Sequence, residues 1–256
     1  MSDSDNSLAN LMTVDIAAKP QEASDQFTDI IGGHAQLSAI APPGSTAAGV
    51  LEQIIAGSPY LSGLIARDPD AAAQELGCEP RQMLDGVYSD LATDIANTED
   101  FEGVQKALRH ARERAARLIA LIDIGNVWPV DDVIAALSTT AERIITAAVD
   151  WLLMDCARRG RLTIADERHP GTGSGYIVLG LGKLGGGELN YSSDIDLIVF
   201  FDRDRAPVCG DADAQSVFVR MTKDLVRLLQ ERTADGYAYR TDLRLRPDPG
   251  ATNVAI

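Results

Sequence analysis

Two aspartates, Asp194 and Asp196, open the apolar run Asp-Ile-Asp-Leu-Ile-Val-Phe-Phe of residues 194–201. Side chains along a strand alternate faces at about 3.3 Å per residue, so these carboxylates share one face with Cα atoms roughly 6.6 Å apart. That separation suits two acids sharing divalent cations. Asp-x-Asp also begins at Asp3, Asp68, Asp202 and Asp211, but in polar or loop-like surroundings where solvated acids are the simpler reading. Only at Asp194 does the pair open a long apolar run, where unpaired carboxylates would be costly to bury. Capping or a buried ion pair is the structural alternative.

Immediately upstream lies a second chemical feature, the glycine-rich stretch Gly-Leu-Gly-Lys-Leu-Gly-Gly-Gly from Gly180 to Gly187. Gly180, Gly182 and Gly185 satisfy the dinucleotide pattern G-x-G-x-x-G, and Asp202 lies about 20 residues onward, where a ribose-binding acid belongs. A parallel crossover with its helix, however, needs at least about 10–12 residues. Residues 186–193 begin with two more glycines and carry no helical apolar stripe, so the dinucleotide reading fails. Lys183 is followed by Leu184 instead of the Ser or Thr of a Walker A loop, which removes that reading too. What survives is a glycine turn whose backbone N–H groups can approach phosphate, delivered beside a paired-carboxylate strand.

The elements that position these groups read as strand, glycine loop, strand over residues 176–179 and 195–201. A polar loop over 202–213 leads to an amphipathic helix over 214–233 with Val217, Met221, Leu225, Leu228 and Leu229 on one face. A further strand over 237–245 places Tyr239, Thr241, Leu243 and Leu245 on one face and Arg240, Asp242, Arg244 and Arg246 on the other. An acid among arginines suits metal plus phosphate, with an arginine–aspartate ladder as the lesser alternative.

Upstream, residues 1–46 are poor in aromatics and include Ala41-Pro42-Pro43-Gly44-Ser45, which predicts a flexible arm with at most short structure. Helical segments follow over 50–56, 60–66, 71–76 and 81–95, with Pro59, Pro69 and Pro80 near helix starts. Two longer helices are expected over 102–124 and 130–159, the second with Val133, Leu137, Ile144, Ala148, Trp151 and Leu152 as core. The basic run of Lys106, Arg109, Arg112, Arg114 and Arg117 reads first as a solvated face and second as a docking surface. The expected organisation is an arm (1–46), a helical scaffold (47–165) and a core (166–256) with its boundary near Asp166.

The 256 residues contain no apolar run long enough to span a bilayer, and the acidic N-terminus is unlike a signal peptide, so a cytoplasmic protein is expected. A net charge of −15 argues against a general nucleic-acid binder. Cys78, Cys156 and Cys209 are scattered and odd in number, favouring reduced thiols, and His34, His110 and His169 form no cluster.

The segment Gly-Leu-Gly-Lys-Leu-Gly-Gly-Gly-Glu-Leu-Asn-Tyr-Ser-Ser-Asp-Ile-Asp-Leu resembles the signature of the glutamine synthetase adenylyltransferases, bifunctional enzymes that add and remove adenylyl groups. Arg-Thr-Asp-Leu-Arg-Leu-Arg-Pro, residues 240–247, resembles the family's second signature. Ser58-Pro59-Tyr60-Leu61 with Arg67-Asp68-Pro69 resembles its opening helices more weakly. The resemblance implies an α+β chain with a helical scaffold followed by a nucleotidyltransferase mixed sheet flanked by helices, with Asp242 as the third metal carboxylate beside Asp194 and Asp196. Two Mg²⁺ ions would then be held by these three acids, an all-oxygen set suited to that cation. Gly186, Gly187 and Ser193 would cradle phosphate, with Arg244 and Arg246 neutralising charge. The implied partners are glutamine synthetase and a PII-type signalling protein, and the implied small molecules are ATP, ADP and phosphate.

The resemblance further implies the N-terminal, adenylyl-removing part, in which phosphate attacks the AMP–tyrosine bond and ADP leaves; a C-terminal copy adds adenylyl groups from ATP. With one Ser-Asp-x-Asp signature and its end at Ile256, the chain looks like a fragment truncated in its core domain. Asp248-Pro249-Gly250 departs from the commoner pattern, in which glycine comes one residue sooner. Two rivals stand beside this reading: a non-catalytic docking module for glutamine synthetase or a PII-type protein, and a nucleotidyltransferase with another acceptor.

Overall fold

The protein is described here from a computed structural model, over residues 6–13, 21–210 and 212–244. In chain order the elements are α1 (Leu8–Leu11), α2 (Gln21–Ile31), α3 (Ala35–Ile40), α4 (Thr46–Gly57), α5 (Pro59–Arg67), α6 (Pro69–Gly77), α7 (Pro80–Ala96), α8 (Phe101–Ile124), α9 (Val130–Arg158), β1 (Tyr176–Leu181), α10 (Gly182–Gly185), β2 (Ile195–Phe201), α11 (Ala214–Gln230) and β3 (Thr241–Asp242). The chain is α+β. Its contacts divide it into one unit of Met1–Ser89 and Glu113–Leu137 and another of Asp90–Arg112 and Ser138–Ile256. The divisions fall inside α7, α8 and α9, whereas the sequence places its boundary near Asp166.

The first unit is helical, and its punctuation follows from side chains that start helices. Ser45, Ser58 and Asp68 accept from the N–H groups of Ala48, Leu61 and Ala71, capping α4, α5 and α6. Pro59 and Pro69 occupy first-turn positions, where the missing N–H costs nothing. The expected arm is the main difference from the sequence reading, because α1, α2 and α3 form within it. Leu8 and Leu37 are completely buried, and Phe27 and Ile31 lie one turn apart on α2, both buried. These few large residues fall on inward faces, although the composition around them is polar enough to disguise the helices.

A second difference concerns the basic run on α8. Lys106 is exposed, but Arg117 and Arg109 are buried. In the first unit, Arg117 donates through Nε and Nη2 to the two carboxylate oxygens of Glu75, both at 2.8 Å. Burial pushes the Glu75 carboxyl up, opposed by Arg117. Burial would loosen the Arg117 proton, but Glu75, together with Asp68 and Glu113, outweighs it and holds that guanidinium above its ordinary value. A guanidinium fork matched to a carboxylate can be buried, which the spacing of charges along a helix does not reveal.

The second unit contains the sheet, in the order β1-β2-β3. β1 and β2 are antiparallel, from Tyr176↔Phe201 to Leu181↔Asp196. β2 and β3 are parallel, with Ile195 opposite Thr241 and Asp196 opposite Asp242. Tyr176, Ile195, Leu197 and Val199 are buried, as are Val217, Phe218, Met221, Leu225, Leu228 and Leu229 of α11. The Tyr176 and Phe201 rings each lie 5.4 Å from the Phe218 ring, and the Tyr176 hydroxyl meets Thr222 Oγ1 at 2.8 Å, which places α11 against this sheet face. Ile177 and Leu179 point the other way and are 47% and 45% exposed.

Among the described residues, the strand expected over 237–245 is observed only as the two residues of β3. Ala238 and Tyr239 are both buried but lie outside any strand. The Tyr239 N–H instead donates to Leu229 O, tying the chain to α11 before it reaches the sheet. Leu245 and Arg246 lie outside the described residues.

Candidate functional site

The antiparallel β1–β2 pair explains why a short glycine-rich connection suffices, since no crossover helix is needed. It contains a single helical turn, α10, followed by a tight bend. Gly182, at φ +54°, lies against β2, and a Cβ there would come within 2.5 Å of Asp196 Oδ2. Glycine is therefore required both for the backbone angle and for room beside the carboxylate. Gly187 also has positive φ, at +69°. The N–H groups of Gly186 and Gly187 donate to Gly182 O and Leu184 O, each at 3.0 Å. Both donors expected to cradle phosphate thus hold the bend together. The Leu189 N–H donates to the buried Ser138 Oγ at 3.0 Å, anchoring the connection to α9, a contact without a motif to announce it.

The acids follow. Ile195, Leu197 and Val199 face the core, so Asp196 belongs to the opposite face, with Asp242 as its register partner on β3. Asp194 precedes Asp196 by two residues and is about half exposed. Neighbouring strands lie about 4.8 Å apart, so the strands bring three carboxylates to one end of one sheet face.

Arginines from the same sequence segment meet two of them. Arg240 donates through Nε to Asp194 Oδ1 and through Nη2 to Ser192 O at 2.9 Å. Arg244 forms a fork on Asp242, with Nε 3.0 Å from both oxygens and Nη2 2.6 Å from Oδ2. The hydrogen bond to Asp194 raises the Arg240 pKa, and that to Asp242 raises Arg244. Ser193 Oγ donates to Asn190 Oδ1 at 2.6 Å, at the rim of the same loop.

Among the described residues, no three His, Cys, Asp or Glu side chains form a ready-made metal cluster. The donor chemistry nevertheless suits a hard divalent cation: the register sets three carboxylates near one end of one sheet face, and glycine at 182 spares Asp196 a clash with a side chain. Asp194 and Asp242 would exchange their guanidinium partners for the ion. Among the described residues, members of the other Asp-x-Asp pairs have local work instead. Asp68 caps α6, Asp213 caps α11, and Asp202 Oδ1 accepts from the N–H groups of Asp204 and Arg205 in a turn. Cys78, Cys156 and Cys209 are free thiols. No helix among the described residues is long and apolar enough to cross a membrane.

The profile of the glutamate-ammonia ligase adenylyltransferase family matches residues 48–256, most of the chain. The chain belongs to this family. Among curated relatives, a bifunctional glutamine synthetase adenylyltransferase/adenylyl-removing enzyme of a Bradyrhizobium species is 47% identical over 207 residues, covering 81% of this chain and 21% of the relative. Its namesake from Xanthobacter autotrophicus is 48% identical over 200 residues, covering 78% and 20%. One from Rhodopseudomonas palustris is 39% identical over 242 residues, covering 93% and 24%, so that alignment reaches beyond the family match. The chain spans about a fifth to a quarter of the length of these relatives.

Proposed function

We propose that this chain carries metal-dependent nucleotidyl transfer on a nucleotidyltransferase-type sheet, as the adenylyl-removing part of a bifunctional glutamine synthetase adenylyltransferase. The observation that carries the reading is the register of Asp196 opposite Asp242, with Asp194 two residues along and Gly182 pressed against Asp196. Asp194, Asp196 and Asp242 would hold two Mg²⁺ ions. When bound, the ions supply Lewis-acid stabilisation of the attacking and leaving oxygens.

In the proposed reaction, an oxygen of inorganic phosphate attacks the phosphorus of the AMP–tyrosine ester of adenylylated glutamine synthetase. The new P–O bond gives ADP; the old P–O bond breaks, and the tyrosine oxygen takes a proton. Arg244, once off Asp242, would neutralise the phosphate charge, a role also assigned to Arg246, and Ser193 Oγ would donate to a phosphate oxygen from the loop rim. The bend made by Gly186 and Gly187 fixes the shape of that rim. Such transfers depend on positioning and charge neutralisation more than on a protein nucleophile. The proposed setting is the cytoplasm, with a PII-type protein as regulator and ATP-dependent adenylylation assigned to another part of the longer enzyme.

The test is incubation of the chain with adenylylated glutamine synthetase, phosphate and Mg²⁺, with ADP as the readout. ADP formation that depends on both phosphate and metal supports the proposal. Binding of glutamine synthetase without ADP would favour a docking module, and no ADP from adenylylated glutamine synthetase but release from a different adenylylated protein would redirect the substrate assignment.

A further inference from the structure

Arg109 is 1% exposed, yet the hydrogen-bond acceptors of its guanidinium are backbone carbonyls. Nη1 donates to Gln105 O at 2.7 Å on its own helix and to Leu228 O at 3.3 Å in the last turn of α11. Nη2 donates to Glu231 O, and Nε to Gly236 O at 2.9 Å. Carbonyls at a helix C-terminus lack intrahelical donors and carry the negative end of the dipole, so a cation is stabilised there. One side chain thus ends α11 and holds both ends of the turn that follows. Around it, Gln105 Nε2 donates to Glu231 Oε2 at 2.9 Å and to Arg227 O at 3.3 Å, while the Arg112 guanidinium lies 5.3 Å from the Tyr239 ring centroid.

The turn leads directly to β3, which is only two residues long and has little pairing with which to fix its own register. The Ile195 N–H donates to Arg240 O at 2.9 Å, and the next two residues bring Asp242 opposite Asp196. A slip of one residue would send Asp242 to the other sheet face. We infer that Arg109 is a positioning residue for the third carboxylate, acting through the 231–239 connection without touching metal or substrate. This inference rests on the metal-binding reading of Asp194, Asp196 and Asp242.

The experiment is a Mn²⁺ titration of the whole 256-residue chain, with hydrogen exchange measured alongside. Arg109→Lys keeps the charge but replaces the planar fork with a single ammonium. The expected result is a loss of Mn²⁺ affinity of roughly 10–100-fold, the range for residues that orient metal ligands, with faster exchange at 238–242 and unchanged exchange at 176–179. Leu152→Ala, in the buried face of α9, serves as a stability-matched control and should keep Mn²⁺ affinity. Unchanged Mn²⁺ affinity in Arg109→Lys would overturn the inference, as would an equal loss in Leu152→Ala. No Mn²⁺ uptake by the wild-type chain would instead remove the metal reading on which the inference stands; the wild-type titration judges that reading, and the variant-to-wild-type ratio judges Arg109. Should Arg109→Lys not fold, Gln105→Ala loosens the same turn without disturbing the buried cation. It should show a smaller loss of Mn²⁺ affinity, and none would count against the inference.

Discussion

Arginine–aspartate and arginine–glutamate pairs occur in both units, and burial gives them different consequences. The Arg117–Glu75 pair has side chains 5% and 4% exposed, whereas those of Arg240–Asp194 are 55% and 53% exposed. Opening the buried pair would leave charges in an apolar interior; opening the exposed one returns both to water. The buried fork is therefore a permanent part of the helical packing. The exposed Arg240–Asp194 pair can open at little cost, and the Arg244–Asp242 pair, with Asp242 21% exposed, lies between the two.

The sharpest test replaces Asp196, which no arginine among the described residues clasps in an ion pair. Asp196→Asn should lower metal-dependent phosphorolysis by about 10³-fold or more while helix content and melting temperature stay near wild type. Near wild-type turnover in a folded variant of the longer enzyme would remove the metal-ligand assignment. The buried pair should respond in the opposite sense. Arg117→Met leaves Glu75 alone in the interior and should cost about 3–5 kcal/mol of stability by denaturant titration, with Mn²⁺ affinity per folded molecule unchanged. A negligible stability loss would mean that burial is not what separates the two kinds of pair.

How much of this was legible in advance depended on whether a residue signals through its neighbours in sequence. Pro59, Pro69 and Pro80 sit at helix starts with a capping side chain just before, so these helices were found almost to the residue. The β1–β2 pair and Asp194-x-Asp196 were equally readable, because alternation and a glycine turn are local. Arg109 and Arg117 were not, since a buried and an exposed arginine look alike until their acceptors are known. Those acceptors, Glu231 and Gly236 for one and Glu75 for the other, lie far along the chain. Gly182 was seen only as part of a failed dinucleotide pattern; its closeness to Asp196 requires the hairpin register. The N-terminal helices were hidden by a polar composition in which few residues do the burying.

Two intermediate perturbations sharpen the contrast at the site. Gly182→Ala forces a side chain into the left-handed region at about 1–2 kcal/mol and pushes it against the Asp196 carboxylate. Stability should fall by that amount, and Mn²⁺ binding should weaken further in the folded fraction; unaltered binding would show that the close approach is incidental. Arg240→Gln should leave the melting temperature nearly unchanged and raise Mn²⁺ affinity, because Asp194 loses its resident cation. Weaker Mn²⁺ binding would contradict exchange.

The smallest effect is expected at the start of α11. Asp213 accepts from the Ser216 hydroxyl and N–H, which hold its carboxyl below the ordinary value of 3.8. A depressed native pKa contributes stability that is present above the unfolded value and is lost as pH falls through the folded one. Asp213→Ala should therefore lower the melting temperature slightly at neutral pH, with the difference from wild type closing in acid. A difference independent of pH would point to lost backbone geometry instead of lost charge.

The parallel pairing of β3 with β2 also bears on the order of assembly. The β1–β2 hairpin closes over a short connection, whereas Thr241 and Asp242 can reach β2 only after the 202–213 loop and α11 have been made and turned back. Contacts between distant parts of a chain pay more loop-closure entropy and tend to form later. During synthesis, the hairpin carrying Asp196 can fold while the segment carrying Asp242 is still in the ribosome. Asp242 thus meets its register partner Asp196 only when β3 arrives, and a nascent chain stalled before residue 241 holds Asp194 and Asp196 without it.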